Sequence, residues 1–319
     1  MNTSDLLLKL FGWLSISLVA AYLIDNIMIV GFNFPGAFSI FKDFSMVGLF
    51  ELFIYIIAGL ATYFIVKKSN LNFRNNSIIL HNFNVYLIRS FFWIILIIGL
   101  VDISIAFMRV EKIFEFLFGK EIASNFSRPV FVGLYFHVPL IIIGFVIAKF
   151  TKTIGFHWLS LLIVASELLI VITRFVFSYE QTFMGDLVRY WYAGLFLFAS
   201  AYTLYEDGHV RVDILYQGLK EKTKNLVNCF GSILMGWSTS IIIILICFYG
   251  KQSIVNSPVA NFEITQQGSV GMFIKYHMAV FLAIFGITML IQFISYFFES
   301  IADYKNEKGK RIIETSTSH

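Results

Sequence analysis

Long apolar runs separated by short polar stretches follow one another along the whole chain. Each run has about the 20 residues that a helix needs to cross a hydrocarbon core of roughly 30 Å. Such a run satisfies its backbone polar groups only as a helix or in a closed barrel, and the sequence lacks a barrel's short alternating strands. The pattern therefore predicts an all-α, polytopic membrane bundle of about eight transmembrane helices. Their predicted positions are residues 8–31, 44–66, 86–108, 130–150, 157–179, 187–206, 226–250 and 272–298.

Composition excludes a soluble protein. The 319-residue chain is 58% hydrophobic and only 14% charged, whereas soluble domains usually have about 25% charged residues. The polar stretches are too short to fold as domains of their own. The sequence contains no glycine-rich phosphate loop, metal-ligand spacing or nucleophile constellation, so we expect no enzyme activity.

Basic residues predict the orientation of the helices. With a cytoplasmic N-terminus, most of the 24 Lys and Arg residues fall in inner segments, so the positive-inside rule places both termini in the cytoplasm. The loop at 109–128 opposes this, because its basic residues would face outward. The net charge of +4 suits contact with anionic membrane lipids, and no nucleic-acid-binding module accompanies it.

An amphipathic connector is predicted after the sixth run. Gly208 is placed to end that helix in a left-handed conformation. Apolar and basic side chains then recur at helical spacing, which predicts a helix lying in the cytoplasmic membrane interface. The apolar positions are Val212, Leu215, Leu219 and Leu226, and the basic ones are Arg211, Lys220, Lys222 and Lys224.

Charged residues at the ends of the fifth and sixth runs are candidate functional residues, since charge near membrane depth is costly unless it is paired or hydrated. Arg174 is placed to pair with Asp186 across the short loop, which would fix the helix hairpin and offer a docking surface. A contact with lipid headgroups is the equal alternative. Asp186 and Arg189 lie three apart in the first turns of a helix, where the helix dipole alone explains an acid.

Four acids fall inside apolar runs: Asp25, Glu51, Asp102 and Glu167. Glu167 shares a helix face with Arg174, and this face is expected to point into the bundle or toward a partner protein. The other three acids and His137 either form a polar cluster that binds an ion or relays protons, or make ordinary interhelical hydrogen bonds.

Residues 157–300 resemble the small membrane subunit of tripartite ATP-independent periplasmic (TRAP) transporters. The resemblance is carried by R-F-V-F at 174–177, by Asp186 and Arg189 before an aromatic-rich helix, and by E-D-G-H-V-R-V-D at 206–213. His209, Arg211 and Asp213 form the small subunit's signature in this resemblance. A hydrogen-bonded cap at a helix end is the alternative to a direct ligand site.

The basic stretch KFTKTIGF at 149–156 separates four N-terminal helices from four C-terminal ones. Residues 1–150 are predicted to be a four-helix extension of unknown role, since the family's small subunit usually has only four helices. Residues 151–305 are the small-subunit-like module, and residues 306–319 are a basic cytoplasmic tail.

The resemblance implies a sodium-coupled uptake system for organic acids in the bacterial inner membrane. In that family a periplasmic binding protein captures the substrate and a large membrane subunit carries the substrate and sodium sites. The small subunit stabilises the large one and is placed to help dock the binding protein. This chain would then bind no cofactor, and sodium would bind the large subunit.

Two other functions fit the sequence. The eight helices of a self-contained secondary carrier would hold their own substrate site. A membrane-anchored b-type cytochrome would hold haem between paired histidines, and only His137 and His277 are expected to lie even partly within the membrane.

Overall fold

A computed structural model describes residues 2–41, 44–153, 155–206 and 214–311. Within these ranges the chain is built from helices and contains no β-strand, which confirms the predicted all-α class. Short π-helical turns, Gly133–His137 and Ser232–Trp237, join α5 to α6 and α10 to α11. The helices are α1 Thr3–Phe32, α2 Met46–Lys68, α3 Phe73–Val110, α4 Ile113–Phe126, α5 Pro129–Val132, α6 Val138–Phe150, α7 Phe156–Val176, α8 Thr182–Tyr205, α9 Ile214–Gln217, α10 Glu221–Gly231, α11 Ser238–Phe248, α12 Asn256–Ala260 and α13 Lys275–Tyr304.

Local sequence sets several helix ends. Ser45 caps α2 by accepting a hydrogen bond from the Gly48 N–H at 2.9 Å. Asn33 ends α1 in a left-handed conformation, with φ of 58°. Pro129 begins α5 at a position where a missing backbone N–H costs nothing.

Seven helical stretches in the described residues are long and apolar enough to cross a membrane. They correspond to seven of the eight predicted runs. The remaining run is the helix α8, which is long enough but carries Asp186 and Arg189 in its first half. These seven are Thr3–Gly31, Met46–Lys68, Phe73–Val110, Pro129–Phe150, Phe156–Val176, Glu221–Phe248 and Lys275–Tyr304.

The amphipathic connector is described only in part. Gly208, Arg211 and Val212 lie outside the described residues. The one-turn helix α9 follows, and the chain turns before α10 starts at Glu221 and continues into a spanning helix. The basic side chains at 222 and 224 therefore lie at the start of a long helix.

The chain groups into two compact units. Unit 1 comprises Met1–Phe83, Thr203–Asn256 and Met289–His319, and unit 2 comprises Asn84–Tyr202 and Ser257–Thr288. Each unit thus takes residues from both sides of position 150. The division into an extension, a small-subunit-like module and a tail concerns sequence relationships and stays a prediction.

Unit 2 has a large apolar core. Helices α3 and α8 supply much of it, including Ile95, Ile98, Tyr190 and Trp191. The Trp191 indole N–H donates to the Ile95 carbonyl at 3.0 Å, so its polar atom is satisfied inside this core. The core fixes the helices that carry the polar side chains described next.

Candidate functional site

Asp186 lies at the start of α8 and is 2% exposed. Its Oδ2 accepts hydrogen bonds from the Met272 backbone N–H and the Thr265 hydroxyl, both at 3.1 Å. A buried carboxylate requires such donors, since an unpaired charge there is costly. Asp186 therefore holds the chain that precedes α13, which we call the 263–274 segment.

Asp102 holds the same segment from α3. It is fully buried, and its Oδ2 accepts the backbone N–H of Phe273 at 2.8 Å. Met272 and Phe273 thus donate consecutive N–H groups to two different acids, and both residues are fully buried. The two acids thus act as a clamp on backbone that lies outside a helix, where the N–H groups have no intrahelical acceptor.

Arg109 completes the clamp from the last turn of α3. Its guanidinium donates to the carbonyls of Ser269, Gly271 and Phe126, and it lies 4.0 Å from the centre of the Phe273 ring. A planar cation with several donors suits both carbonyl binding and ring stacking. The end of α3, the start of α8 and the 263–274 segment therefore meet at one end of unit 2.

His137 ends the π-helical turn and lies against the same clamp. Its Nε2 is 3.3 Å from Asp102 Oδ1, and its Nδ1 bonds with the Tyr276 hydroxyl. The imidazole is therefore held at both ring nitrogens, by a carboxyl group and by a phenol hydroxyl. The His277 ring packs edge-on against His137, with ring centres 4.9 Å apart.

Arg174 does not pair with Asp186, contrary to the sequence prediction. It lies 3.7 Å from Glu180, and both side chains are mostly exposed. The reason is that Asp186 is turned inward toward the 263–274 segment, where backbone and hydroxyl donors satisfy it. The nearer cation to Asp186 is the exposed Arg189, at 3.8 Å.

Tyr179 lies in the loop between α7 and α8, at this same end of unit 2. Its hydroxyl donates a hydrogen bond to Glu111, which follows α3. That bond raises the pKa of the Tyr179 hydroxyl, because ionisation would lose the donor. The contact ties the α7–α8 loop to the end of α3.

Glu167 lies in the middle of α7 with its side chain exposed. The apolar neighbours Val164 and Leu168 are exposed as well, and Ser166 and Leu159 are the buried residues of this helix. The charge is therefore presented on an apolar outer surface of α7.

The four residues of the predicted polar cluster are divided between the two units. Asp102 and His137 belong to unit 2, as described above. Asp25 and Glu51 lie together in unit 1, where Glu51 is fully buried and the Tyr55 hydroxyl donates to Asp25 at 3.0 Å.

Residues 163–303 match the family model described as Tripartite ATP-independent periplasmic transporters, DctQ component. This range begins in α7 and ends in α13, and it contains Arg174, Asp186 and Arg189. This part of the chain is therefore similar to the DctQ component family. No curated protein and no solved structure matches the chain significantly. The chain is thus a multi-pass membrane protein whose residues 163–303 are similar to the small membrane component of TRAP transporters.

The DctQ region and the residues before it are packed together inside unit 2. Asp102 and His137 precede the matched range, yet they bond to Phe273 and Tyr276 within it. The N-terminal residues of unit 2 therefore complete the polar contacts of the DctQ region.

The predicted signature residues His209, Arg211 and Asp213 lie outside the described residues. Their assignment as a helix cap or a ligand site stays a prediction.

Sequence reasoning missed Arg109, Thr265 and Tyr276. In the sequence Arg109 is one of the basic residues of the 109–128 loop, and Thr265 lies in a stretch with no helical pattern. Their spacing gave no signal, because their partners are 160, 79 and 139 residues away along the chain. The polar stretch before the last apolar run is the feature of the sequence that points to a contact there.

Proposed function

We propose that this chain is the small membrane subunit of a TRAP-type, sodium-coupled uptake transporter for organic acids. The single observation that carries the proposal is the DctQ match over residues 163–303. In this role the chain stabilises a large transport subunit that binds substrate and sodium. It performs no enzymatic reaction and binds no cofactor of its own.

The outer surface of α7 supports a partner in the membrane. A carboxylate at the centre of a spanning helix costs about 2.5–3.5 kcal/mol on insertion scales when it faces lipid. Glu167 is exposed there between apolar side chains. A polar group on the large subunit would satisfy it, so we propose that α7 is the contact surface.

The clamped end of unit 2 is proposed to face the periplasm and to help receive the binding protein. With both termini in the cytoplasm of a bacterial cell, the end of α3 and the α7–α8 loop lie outside the inner membrane. Arg174 and Arg189 are exposed at this end, with side-chain exposures of 59% and 68%. Exposed charges there suit docking of a soluble partner, whose approach they steer.

The geometry favours this role over a haem protein. A haem ligand needs an imidazole nitrogen for iron, but both ring nitrogens of His137 make hydrogen bonds within the protein. The His277 ring also packs directly against His137, where a porphyrin would have to lie between two axial ligands.

Replacement of Glu167 tests the proposed contact surface. We expect Glu167→Leu to lower the yield of a tagged large subunit that co-purifies with this chain by several-fold, because the polar contact is lost. Glu121→Leu removes an exposed acid from α4 and serves as the control with unchanged yield. Equal yields of wild type and Glu167→Leu would show that α7 is not the contact surface.

A further inference from the structure

A cavity of about 310 Å³ lies inside unit 2, next to His137. Its size is at the lower end of the range of roughly 300–1,000 Å³ that is usual for ligand pockets. His137, Tyr276 and His277 contribute the polar side chains of its wall, and the other lining residues are apolar or glycine. An apolar pocket with a few converging polar groups is the common form of a small-molecule site.

His277 offers the cavity an unused hydrogen-bonding group. The residue is 8% exposed and lines the cavity. Its ring packs against those of His137, Tyr190 and Tyr276. Within the described part of the chain its ring nitrogens make no hydrogen bond. A neutral imidazole carries one N–H donor and one acceptor, so a ligand oxygen here would gain a bond.

The cavity favours an uncharged ligand. Its wall contains no Lys, Arg, Asp or Glu, and the Asp102 carboxylate behind it is already bonded to His137 and the Phe273 N–H. A charged group would enter this wall without a counterion, at a high desolvation cost.

The wall suits a flat apolar body. Six aromatic rings line it, which favours stacking or edge contacts with a ring. The π-helical turn brings Gly133 so close to Phe262 that an added Cβ would lie 2.4 Å from that ring. Such turns occur frequently at functional sites. The six rings are Phe91, Phe145, Phe198, Phe262, Tyr276 and Phe281.

Part of the cavity wall is formed by residues at the protein surface. Two lining residues, Val138 and Val259, are exposed at the protein surface by 45% and 38%. Val138 belongs to the spanning stretch Pro129–Phe150. An entrance beside Val138 would open to the bilayer and would select for membrane-soluble molecules.

We propose that this cavity binds an uncharged, ring-bearing membrane amphiphile whose hydroxyl or carbonyl oxygen bonds to His277. The ring lies among the aromatic side chains, and a short apolar tail leaves by the opening at Val138. This site is distinct from the α7 surface assigned to the large subunit.

Photolabelling of the full chain in nanodiscs tests the proposal with two probes. One is 4-hexylphenol with a diazirine on its alkyl chain, and the other is the same molecule without the hydroxyl group. We expect the phenol to label cavity residues roughly two- to tenfold more than its partner, as one net hydrogen bond implies. His277→Phe should reduce labelling by the phenol to the level of the hydroxyl-free probe.

Neighbouring isoleucines on α6 provide a matched pair of variants. Ile141 lines the cavity and Ile142 is exposed. Ile141→Trp should abolish labelling by filling the space, whereas Ile142→Trp should leave it unchanged, with equal thermal stability confirming that both fold. Equal labelling by the two probes, or labelling that survives Ile141→Trp, would overturn the proposal. Preferential labelling by a diazirine-bearing phospholipid chain would also overturn it, since the cavity would then hold a lipid tail.

Discussion

At the scale of single residues, burial separates the charged side chains that the sequence grouped together. Asp186 and Asp102 face inward and accept backbone N–H groups, whereas Arg174 and Glu167 face outward. Buried acids of the first kind hold the protein's own chain, since their bonds are complete within it. Exposed charges of the second kind are the ones available to another protein.

Replacement of Asp186 tests its assignment as a clamp. Asp186→Ala leaves the buried Met272 N–H without an acceptor, so we expect the free energy of unfolding to fall by about 1–3 kcal/mol. Thermal unfolding of the purified chain in detergent measures this change. Glu180→Ala, which removes an exposed acid paired with Arg174, is expected to change stability by less than about 0.5 kcal/mol. Equal effects of the two substitutions would argue against the clamp.

The sequence predicted which acids lie at membrane depth but not their partners. Asp102 stands out in an apolar run, and the residue that it holds, Phe273, is 171 positions away. The predicted Arg174–Asp186 pair rests only on closeness in sequence. The structure shows instead that a distant backbone N–H competes successfully for the carboxylate.

At the scale of the elements, the length of the apolar runs predicts which segments form long helices. Hydropathy is high where side chains lie against lipid or the protein core. It therefore predicts the positions of the seven spanning stretches. It does not report the π-helical turn at 133–137 or the clamped 263–274 segment, because both depend on tertiary contacts.

Close packing of α3 against α8 gives a prediction at this scale. A Cβ at Gly99 would lie 2.3 Å from the Trp191 indole nitrogen, while a Cβ at Gly185 on α8 would meet nothing within 4 Å. Gly99→Ala should therefore destabilise the protein by about 1–3 kcal/mol through overpacking. Gly185→Ala should be neutral or stabilise by up to about 1 kcal/mol. Thermal unfolding in detergent distinguishes the two, and an unaffected Gly99→Ala variant would contradict the packing.

At the scale of the whole molecule, the DctQ match covers the C-terminal part of the chain, and unit 2 shows that earlier residues are packed with it. The proposed orientation then places the end of α3, the start of α8 and the 263–274 segment on the periplasmic side.

Single cysteines test this orientation in a background of Cys229→Ser and Cys247→Ala. A membrane-impermeant thiol reagent applied from outside should label Ser127→Cys, which lies between α4 and α5, in intact spheroplasts. It should label Ser69→Cys, which follows α2, only after permeabilisation. The opposite pattern would invert the proposed topology.

The central claim is that this chain supports transport only as part of a larger assembly. Its most direct test is uptake of a radiolabelled organic acid into proteoliposomes under a sodium gradient, with the chain alone or with its candidate large subunit and binding protein. We predict uptake only when all three proteins are present. Uptake by this chain alone, or undiminished uptake when it is omitted, would contradict the account.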